Sequence, residues 1–388
     1  MSIPGMKIGS GWRRFLFLLL VMIFVLYLLS VLELRKLSTF VYQPKKPDHL
    51  VLGPAAGQGL QNRLQCHGTK SLNKIHRVAS QSLKSRKNVA FVTVFTIYNS
   101  SSESHKDKFS ESVTVGNISY TKLERSIAIL DSFIKFIKVT MPLSNIIILT
   151  DPESDFRIDR ERVTTYPIQG DYSRDKLMLQ RIRSYIAFLT ARLEEYPKLA
   201  PDRTSHYIFV DSDIAVVDNL GQIFDEYPSF HLTLTFRNNK DQPLNSGFIA
   251  VRGTAEGLKR AKEFLNEVLK AYTEKYMKAS KMLGDQLALA WVVRSHPSFD
   301  SRKFSKPVAF MEDYDGASVL FLPCAIYNWT PPEGAGQYHG MPLDVKVVHF
   351  KGSRKRLMLE AWNFFNSSSN MDDMLCLILS SGRTKYDF

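Results

Sequence analysis

Apolar, β-branched runs alternate with amphipathic helical stretches over the segment from Val89 to Val210. The first run, Val89–Tyr98, has no polar face, as expected of a strand that is buried on both sides. A helical stripe with apolar residues at steps of three and four follows it: Leu123, Ile127, Leu130, Ile134 and Ile137. Strands and helices that alternate in this way form an open, mostly parallel sheet flanked by helices, so the sequence predicts an α/β fold.

The alternation continues with two short strands, a second helix and a fourth strand, His206–Val210. The strands are predicted at Ile146–Leu149, which ends at Asp151, and at Val163–Ile168. The helix is predicted at Tyr172–Glu195, and its core-facing residues are Leu177, Ile182, Tyr185, Phe188 and Leu189. Because ligands of such sheets bind at the carboxyl ends of the strands, the residues that follow each strand are the first place to look for a site.

The formal net charge of +13 comes almost entirely from the N-terminal part of the chain. Residues 1–88 hold 14 Lys and Arg against two Asp and Glu, whereas residues 89–388 hold 37 against 36. A folded domain with so even a balance offers little support for a basic nucleic-acid groove. We therefore expect no nucleic-acid partner.

An uncharged apolar run, Phe15–Leu32, lies within this basic N-terminal part. Its 18 residues can cross most of a thin bilayer core. Lys7, Arg13 and Arg14 precede it, which by the positive-inside rule predicts a cytosolic tail and a luminal remainder. A cleaved signal peptide is the alternative, but the run is long and the residues after it offer a poor cleavage site. The sequence thus predicts a cytosolic tail at 1–14 and a single-pass anchor at 15–32.

The remaining chain divides into a stem and one catalytic-sized domain. Residues 33–88 show no lasting helical or strand period, and Pro, Gly, Gln, Ser and Lys are frequent there. The domain is predicted at 89–388. Weak signals of a luminal glycoprotein are four sequons, at Asn99, Asn117, Asn328 and Asn366.

Three cysteines, Cys66, Cys324 and Cys376, show no metal-binding spacing. In an oxidising lumen they allow one disulfide and one odd thiol, and Cys66 could join two chains into a homodimer. Three isolated, small apolar residues are an equally good interpretation.

Two aspartates, Asp211 and Asp213, end the apolar strand His206–Val210. Two carboxylates this close repel each other unless a cation holds them. Oxygen ligands of this kind suit Mg²⁺ or Mn²⁺ that carries a diphosphate. The alternative is that the pair only caps a loop.

Three further motifs follow in the chain. Asn245-Ser246-Gly247 opens an apolar strand, as a loop that approaches a substrate closely would, although an ordinary turn has the same composition. Asp285-Gln286 opens an apolar helix, where Asp285 is either a site residue or a helix N-cap.

The last motif surrounds His349, which ends an apolar strand and precedes Lys351-Gly352 and a basic run. A neutral imidazole could be a third ligand of the divalent ion, and the lysine could hold a phosphate. The alternative for His349 is a buried core residue.

Asp-x-Asp after a strand, Asn-Ser-Gly opening a strand, Asp-Gln on a helix and a late His-Phe-x-Gly occur in this order. Together they resemble the GT-A nucleotide-sugar glycosyltransferases over Val89 to Gly352. The closest likeness is to retaining type II Golgi enzymes of the glycogenin/galactinol, xyloglucan-xylosyltransferase and nucleotide-diphospho-sugar-transferase types. Lys351-Gly352 departs from the fuller His-x-x-Gly-x-x-Lys-Pro-Trp ending of the glycogenin-like group.

The resemblance implies metal-dependent transfer of a hexose or pentose from a nucleotide-diphosphate sugar, such as a UDP-sugar, to a glycan or glycoprotein in the Golgi lumen. It implies that Asp211, Asp213 and His349 hold Mn²⁺ or Mg²⁺, and that Asp211 also contacts the ribose. Lys351 and Gly352 would contact the diphosphate.

The resemblance also places the rest of the substrate. The nucleotide base and ribose would lie beside Phe95, Thr96 and Asp151. The sugar and the acceptor would be lined by the Asn245–Gly247 loop. Asp285 and Gln286 would lie beneath the anomeric carbon as the catalytic pair.

Two other classes of function share parts of this pattern. A phosphatase or phosphotransferase of the haloacid-dehalogenase type also uses Asp-x-Asp, but its motif follows the first strand of the domain and its first aspartate is a nucleophile. The other class is a luminal binding protein that has the same fold but does not catalyse a reaction.

Overall fold

The computed structural model describes residues 88–97, 113–115, 118–154, 158, 160–198, 205–239, 242–279, 283–331, 344–355 and 358–359, together with residues 19, 21, 22 and 24. Within that part of the chain, none of the helices has the length and apolar character needed to span a bilayer. The predicted tail, most of the predicted anchor and the stem up to residue 87 lie outside the described residues. So do Cys66, Cys376 and the sequons at Asn99, Asn117 and Asn366.

Thirteen strands are described. They are β1 (Asn88–Val94), β2 (Val113–Val115), β3 (Ile118–Tyr120), β4 (Asn145–Thr150), β5 (Val163–Pro167), β6 (Ser205–Val210), β7 (Ile214–Val216), β8 (Leu232–Phe236), β9 (Leu244–Asn245), β10 (Phe248–Val251), β11 (Phe310–Tyr314), β12 (Ala317–Pro323) and β13 (Val347–His349).

Six α-helices are described between these strands. They are α1 (Lys122–Thr140), α2 (Leu177–Glu195), α3 (Gln222–Glu226), α4 (Ala255–Ala271), α5 (Gly284–Ser295) and α6 (Cys324–Tyr327).

Nine of the described strands form one sheet in the order β11-β12-β8-β10-β6-β1-β4-β5, with β9 paired to β8. The pairings β12–β8, β6–β1, β1–β4 and β4–β5 are parallel, whereas β11, β10 and β9 run antiparallel to their neighbours. Six of the nine strands therefore point the same way. The prediction of an α/β fold with a mostly parallel sheet is confirmed.

Helices cover both faces of this sheet. One apolar core contains α1, through Phe133 and Phe136, and the other contains α2, α4 and α5, through Phe188, Phe264 and Leu289. All of these side chains are buried. The sheet is thus enclosed on both faces, as expected for its parallel part, and its strand ends remain the surface available for a site.

Helix α1 begins with a capping box in which Glu124 accepts from the Thr121 amide at 2.8 Å and Thr121 Oγ1 accepts from the Glu124 amide at 3.2 Å. Its apolar stripe is buried only from Ile129 onward. Leu123 and Ile127, predicted as part of the buried stripe, are 44% and 38% exposed, because the first two turns of α1 precede the part that packs into the core.

Two other predicted boundaries are wrong. Strand β1 ends at Val94 rather than Tyr98. Helix α2 begins at Leu177 rather than Tyr172, because the carboxylate of Asp171 accepts from the Ser173 amide at 3.0 Å and forms a turn there. The predicted core residues of α2 are buried except Leu177, which is half-buried.

Candidate functional site

The site is built at the edge where β6 ends and β10 begins. Asp211 follows β6 directly, and its amide donates to the Gly247 carbonyl at 3.3 Å. Three residues later the chain enters β7, which pairs with β13 outside the main sheet. In this pairing Ile214 lies opposite His349. The Phe350 amide donates to the Asp213 carbonyl at 2.8 Å. This pairing brings two segments that are 136 positions apart in the chain, at Asp213 and His349, into contact.

Asp211, Asp213 and His349 form a cluster in which each offers one ligand atom and all three atoms lie within 4.8 Å of one another. His349 Nε2 lies 3.4 Å from Asp213 Oδ1 and 3.6 Å from Asp211 Oδ2. Asp213 and His349 are buried, and the Asp211 side chain is 27% exposed. The predicted convergence of these residues is confirmed, and the cluster could hold a metal ion.

The orientation of the His349 ring is set by Asn328. The amide nitrogen of Asn328 donates to Asn245 Oδ1 at 2.7 Å and to Thr235 Oγ1 at 3.1 Å. Its carbonyl oxygen therefore faces His349 and accepts from Nδ1 at 2.8 Å. Nε2 is then the ring nitrogen that faces the two carboxylates, and in a neutral imidazole its lone pair would be available to a metal ion.

Asn328 had been visible in the sequence only as the first residue of a sequon. In the structure it is 3% exposed, and both ends of its amide bond other side chains. The folded chain does not present this nitrogen for glycosylation.

Lys355 is a second residue that the sequence analysis did not single out for the site. Its Nζ lies 3.2 Å from Asp213 Oδ2. Burial alone would raise the pKa of Asp213, but the positive charges of a protonated His349 and of Lys355 outweigh it and hold that pKa well below its ordinary value. Asp213 is thus kept ionised, as a metal ligand must be.

The Asn245–Gly247 loop closes the cluster from the side of β10. A Cβ at Gly247 would lie 2.7 Å from both Asp211 Oδ2 and His349 Cε1, and 3.0 Å from Asn245 Oδ1. Asn245 Oδ1 also accepts from the Gly247 amide at 2.8 Å. The loop approaches the cluster as closely as backbone allows, which is more specific than an ordinary turn.

Arg181 on α2 connects the cluster to α5. Its guanidinium binds the carboxylates of Asp211 and Asp285 and donates to Ser246 Oγ at 2.8 Å. Burial of Arg181 would lower its pKa, but the two carboxylates outweigh it and raise that pKa above its ordinary value. Sequence reasoning missed it, although a signal was present: Arg181 lies four residues from both Leu177 and Tyr185, on the predicted core face of the helix.

Asp285 is 3% exposed and is not the N-cap of α5. The N-cap is Leu283, whose side chain makes no capping bond, and Asp285 binds Arg181 from the first turn. Burial and the charge of Asp211 raise the pKa of Asp285, and Arg181 opposes them. The N-cap alternative is therefore wrong.

Gln286 reaches a different partner from the same helical turn. Its Nε2 donates to Gln242 Oε1 at 3.2 Å, and Arg237 Nη2 donates to the same oxygen at 2.9 Å. Both glutamines belong to segments that flank the Asn245–Gly247 loop. Gln286 is 6% exposed.

The three residues predicted for the nucleotide lie after β1 and β4, at the same edge of the sheet. Thr96 Oγ1 lies 3.2 Å from Ser154 Oγ, and Asp151 Oδ1 accepts from the Glu153 amide at 3.1 Å. Phe95 is buried, and its amide donates to the Leu149 carbonyl at 3.0 Å. Their roles stay predictions. Lys351 and Gly352 follow His349, and Gly352 has a φ of 65°, which favours glycine.

The structure has a small cavity at the site and a larger groove away from it. A cavity of about 20 Å³ is bordered by Arg181, Tyr185, Ser246 and Asp285, and it has room for about one water. A groove of about 560 Å³ lies between α4, α5 and the β11–β12 turn, but none of the predicted site residues line it.

Comparison with protein-family models gave no match, and neither did comparison with curated proteins. Among solved structures, the chain is similar to the crystal structure of a glycosyltransferase involved in the glycosylation of the major capsid of PBCV-1. The two share 12% identity, the match covers 70% of this chain and 98% of that chain, and the TM-score is 0.36. A likeness of this size carries no argument about function.

Proposed function

We propose that the chain is a metal-dependent glycosyltransferase that moves a sugar from a nucleotide-diphosphate sugar to a hydroxyl group of a glycan or glycoprotein. One observation carries the proposal. The Nε2 of a buried imidazole lies 3.4 and 3.6 Å from oxygens of two carboxylates at the edge of the sheet. With the imidazole neutral, three electron-rich groups converge there, and a divalent cation between them would bind all three.

The donor set fits a divalent ion such as Mn²⁺. Asp211 and Asp213 would supply oxygen ligands and His349 would supply Nε2, while Asn328 fixes the ring from behind. A divalent ion held there would offset the negative charge of a departing diphosphate. The ammonium of Lys355 adjoins Asp213 and would add positive charge at the same place.

The sugar would lie over the floor formed by Arg181, Ser246 and Asp285. Arg181 holds Asp285 and Ser246 in fixed positions, so their remaining oxygen lone pairs can orient sugar hydroxyls. Gln286, fixed by Gln242, would present its amide to the anomeric carbon from the same helical turn.

In the reaction the bond between the anomeric carbon and the diphosphate oxygen breaks, and its electron pair leaves with the diphosphate. The acceptor oxygen forms the new bond to the anomeric carbon. With retention of configuration, the acceptor proton passes to the departing phosphate oxygen, so no separate protein base is required. We further propose that this occurs in the Golgi lumen, on the support of the uncharged run at 15–32 and the basic residues before it.

Release of nucleotide from a panel of nucleotide sugars tests the proposal. The purified full-length chain, given Mn²⁺ and a mixture of glycan acceptors, should release nucleotide from at least one donor, and excess chelator should stop it. Asp213→Asn should reduce the rate at least 100-fold. Asp315→Asn, which makes the same change at a carboxylate that is 92% exposed, should not alter the rate. Full activity in chelator, or in Asp213→Asn, would contradict the proposal.

The phosphatase alternative is less well supported by the geometry. Its nucleophile would be Asp211, but that carboxylate is bound to the guanidinium of Arg181, which lowers its reactivity. Hydrolysis of a phosphate monoester that depends on Asp211, without any release of nucleotide from sugar donors, would favour the phosphatase. Binding of nucleotide without turnover of any donor would favour the non-catalytic class.

A further inference from the structure

Arg237 and Lys351 follow two strands, β8 and β13, whose ends both contact Asn328. Thr235 on β8 and His349 on β13 both bond the Asn328 amide, at 3.1 and 2.8 Å. Arg237 and Lys351 come two residues later in each segment. The Arg237 amide is still paired across the β8–β9 hairpin, and Lys351 has extended backbone. Side chains alternate along extended backbone. Arg237 therefore lies on the same face as Thr235, and Lys351 on the same face as His349.

The neighbourhood of these two cations is positive. Arg237 and Arg354 lie close enough to Lys351 to act on its charge, as does the carboxylate of Asp213 from the metal cluster, and both Arg237 and Lys351 lie near the thiol of Cys324. Within the described part of the chain, no carboxylate is in ion-pair contact with either cation. Positive charges that share a partly buried place repel each other unless an anion joins them. The arrangement is therefore that of an anion site.

Contacts of Arg237 place this anion on the sugar side of the cluster. Its Nε and Nη2 donate to the carbonyl and to Oε1 of Gln242, both at 2.9 Å. The same Oε1 accepts from Gln286, so a single side chain separates Arg237 from the residue proposed to face the anomeric carbon. Gln242 holds one edge of the guanidinium in place, and Nη1 on the other edge bonds no described residue.

We infer that Arg237, with Lys351 beside it, binds a carboxylate carried by the sugar that is transferred or by the sugar that accepts it. The substrate class would then include a uronic acid. A planar guanidinium fixed along one edge can bind a carboxylate with directional hydrogen bonds. A lysine beside it adds positive charge as a point charge, without a preferred geometry. This inference rests on the proposed function and extends it, because nothing in the metal cluster requires an acidic sugar.

The kinetic test compares acidic substrates with their neutral counterparts. The full-length chain is assayed with UDP-glucuronate and UDP-galacturonate against UDP-glucose and UDP-galactose, and with uronate-containing oligosaccharide acceptors against the same acceptors after carboxyl reduction. Wild type should prefer the acidic member of one pair. Arg237→Gln should lower that preference at least tenfold, and Arg237→Lys should restore part of it. Arg260→Gln, which removes one charge from the exposed face of α4, should leave the preference unchanged.

Two kinetic outcomes would overturn the inference. One is that wild type and Arg237→Gln prefer the acidic substrate over its neutral counterpart to the same degree. The other is a loss of affinity for UDP with Mn²⁺ in Arg237→Gln, which would assign the cation to the diphosphate instead. The donor pairs and the acceptor pairs separately identify which sugar carries the carboxylate.

A binding test keeps the inference distinguishable from the proposed function. Uronate-containing oligosaccharides and their carboxyl-reduced forms are titrated into wild type and Arg237→Gln without any donor. Tighter binding of the acidic form, by at least tenfold and only when Arg237 is present, supports the site even if no donor is turned over. Equal binding of both forms by wild type, when no acidic donor is preferred either, contradicts it.

Discussion

The guanidinium of Arg181 binds the carboxylate of Asp285 in the interior of the protein, where both side chains are less than a tenth exposed. The same guanidinium binds Asp211. One cation thus separates two carboxylates, one from the metal cluster and one from α5. Without it, the buried carboxylate of Asp285 would lose the ion-pair partner that it has among the described residues, which is a costly arrangement in a protein interior.

Arg181→Met should lower the free energy of unfolding by about 3–5 kcal/mol, because it keeps most of the side-chain volume but leaves the carboxylate of Asp285 unpaired. Denaturant titration of the full-length chain measures this. Adding Asp285→Asn to Arg181→Met should recover part of the loss, since the unpaired charge is then gone. A control is Arg260→Met, which breaks exposed pairs on α4 and should cost less than about 1 kcal/mol. Equal losses in Arg181→Met and Arg260→Met would contradict the assignment.

Local sequence patterns were enough to predict the elements that bear the site. Apolar runs indicated the strands that end at Asp151 and Asp211, and the turn chemistry of Asn245–Gly247 indicated the close approach of a loop. The pairing of β7 with β13, which carries His349 to Asp213, is a long-range contact that no local pattern encodes. Only the order of the motifs and the chemistry of the ligands suggested it.

The residues that support the site were harder to predict because their types have commoner roles. Asn328 matched a sequon, and Arg181 was one polar residue in a helix with a good apolar stripe. Asn328 and Arg181 each bond side chains that are far away in the sequence. Their roles depend on these partners being buried together with them. The prediction that Leu123 and Ile127 are buried was wrong for a different reason. The apolar stripe of the helix extends beyond the part of the helix that packs into the core.

Asn328→Ala should weaken binding of Mn²⁺ by about 10- to 100-fold, because His349 loses the partner that fixes its tautomer and ring orientation. Calorimetric titration of Mn²⁺ into the full-length chain measures it. Thr330→Ala is the matched control, since it removes the sequon but keeps the Asn328 amide. It should leave both the affinity for Mn²⁺ and the glycan content unchanged. A shift in electrophoretic mobility caused by Thr330→Ala would show that Asn328 carries a glycan.

Gly247→Ala should impair the metal cluster more than it impairs folding. Its Cβ would lie 2.7 Å from an oxygen of Asp211 and from a ring carbon of His349, so at least one of the two must move. We expect affinity for Mn²⁺ to fall at least tenfold. Gly316→Ala is the control: its φ of 83° makes alanine costly, but it lies in the β11–β12 turn at the other edge of the sheet. It should lower stability and leave affinity for Mn²⁺ unchanged. The reverse pattern would argue against the cluster.

Cys324 should react slowly with thiol reagents while the protein is folded. The residue is half-buried, but burial around its thiol raises the pKa to about 11, and a hydrogen bond with Thr235 and the charges of Arg237 and Lys351 only partly oppose this. Because the thiolate is the reactive form, the native thiol at pH 8 should react about 100-fold more slowly than an ordinary cysteine. The raised pKa also favours the folded state below the ordinary thiol pKa, and that contribution is lost as the pH rises towards 11. Labelling kinetics of the Cys66→Ser, Cys376→Ser chain between pH 8 and 9.5, with and without denaturant, measure the difference. Native and unfolded chains that react at the same rate would mean that the Cys324 thiol is open to solvent.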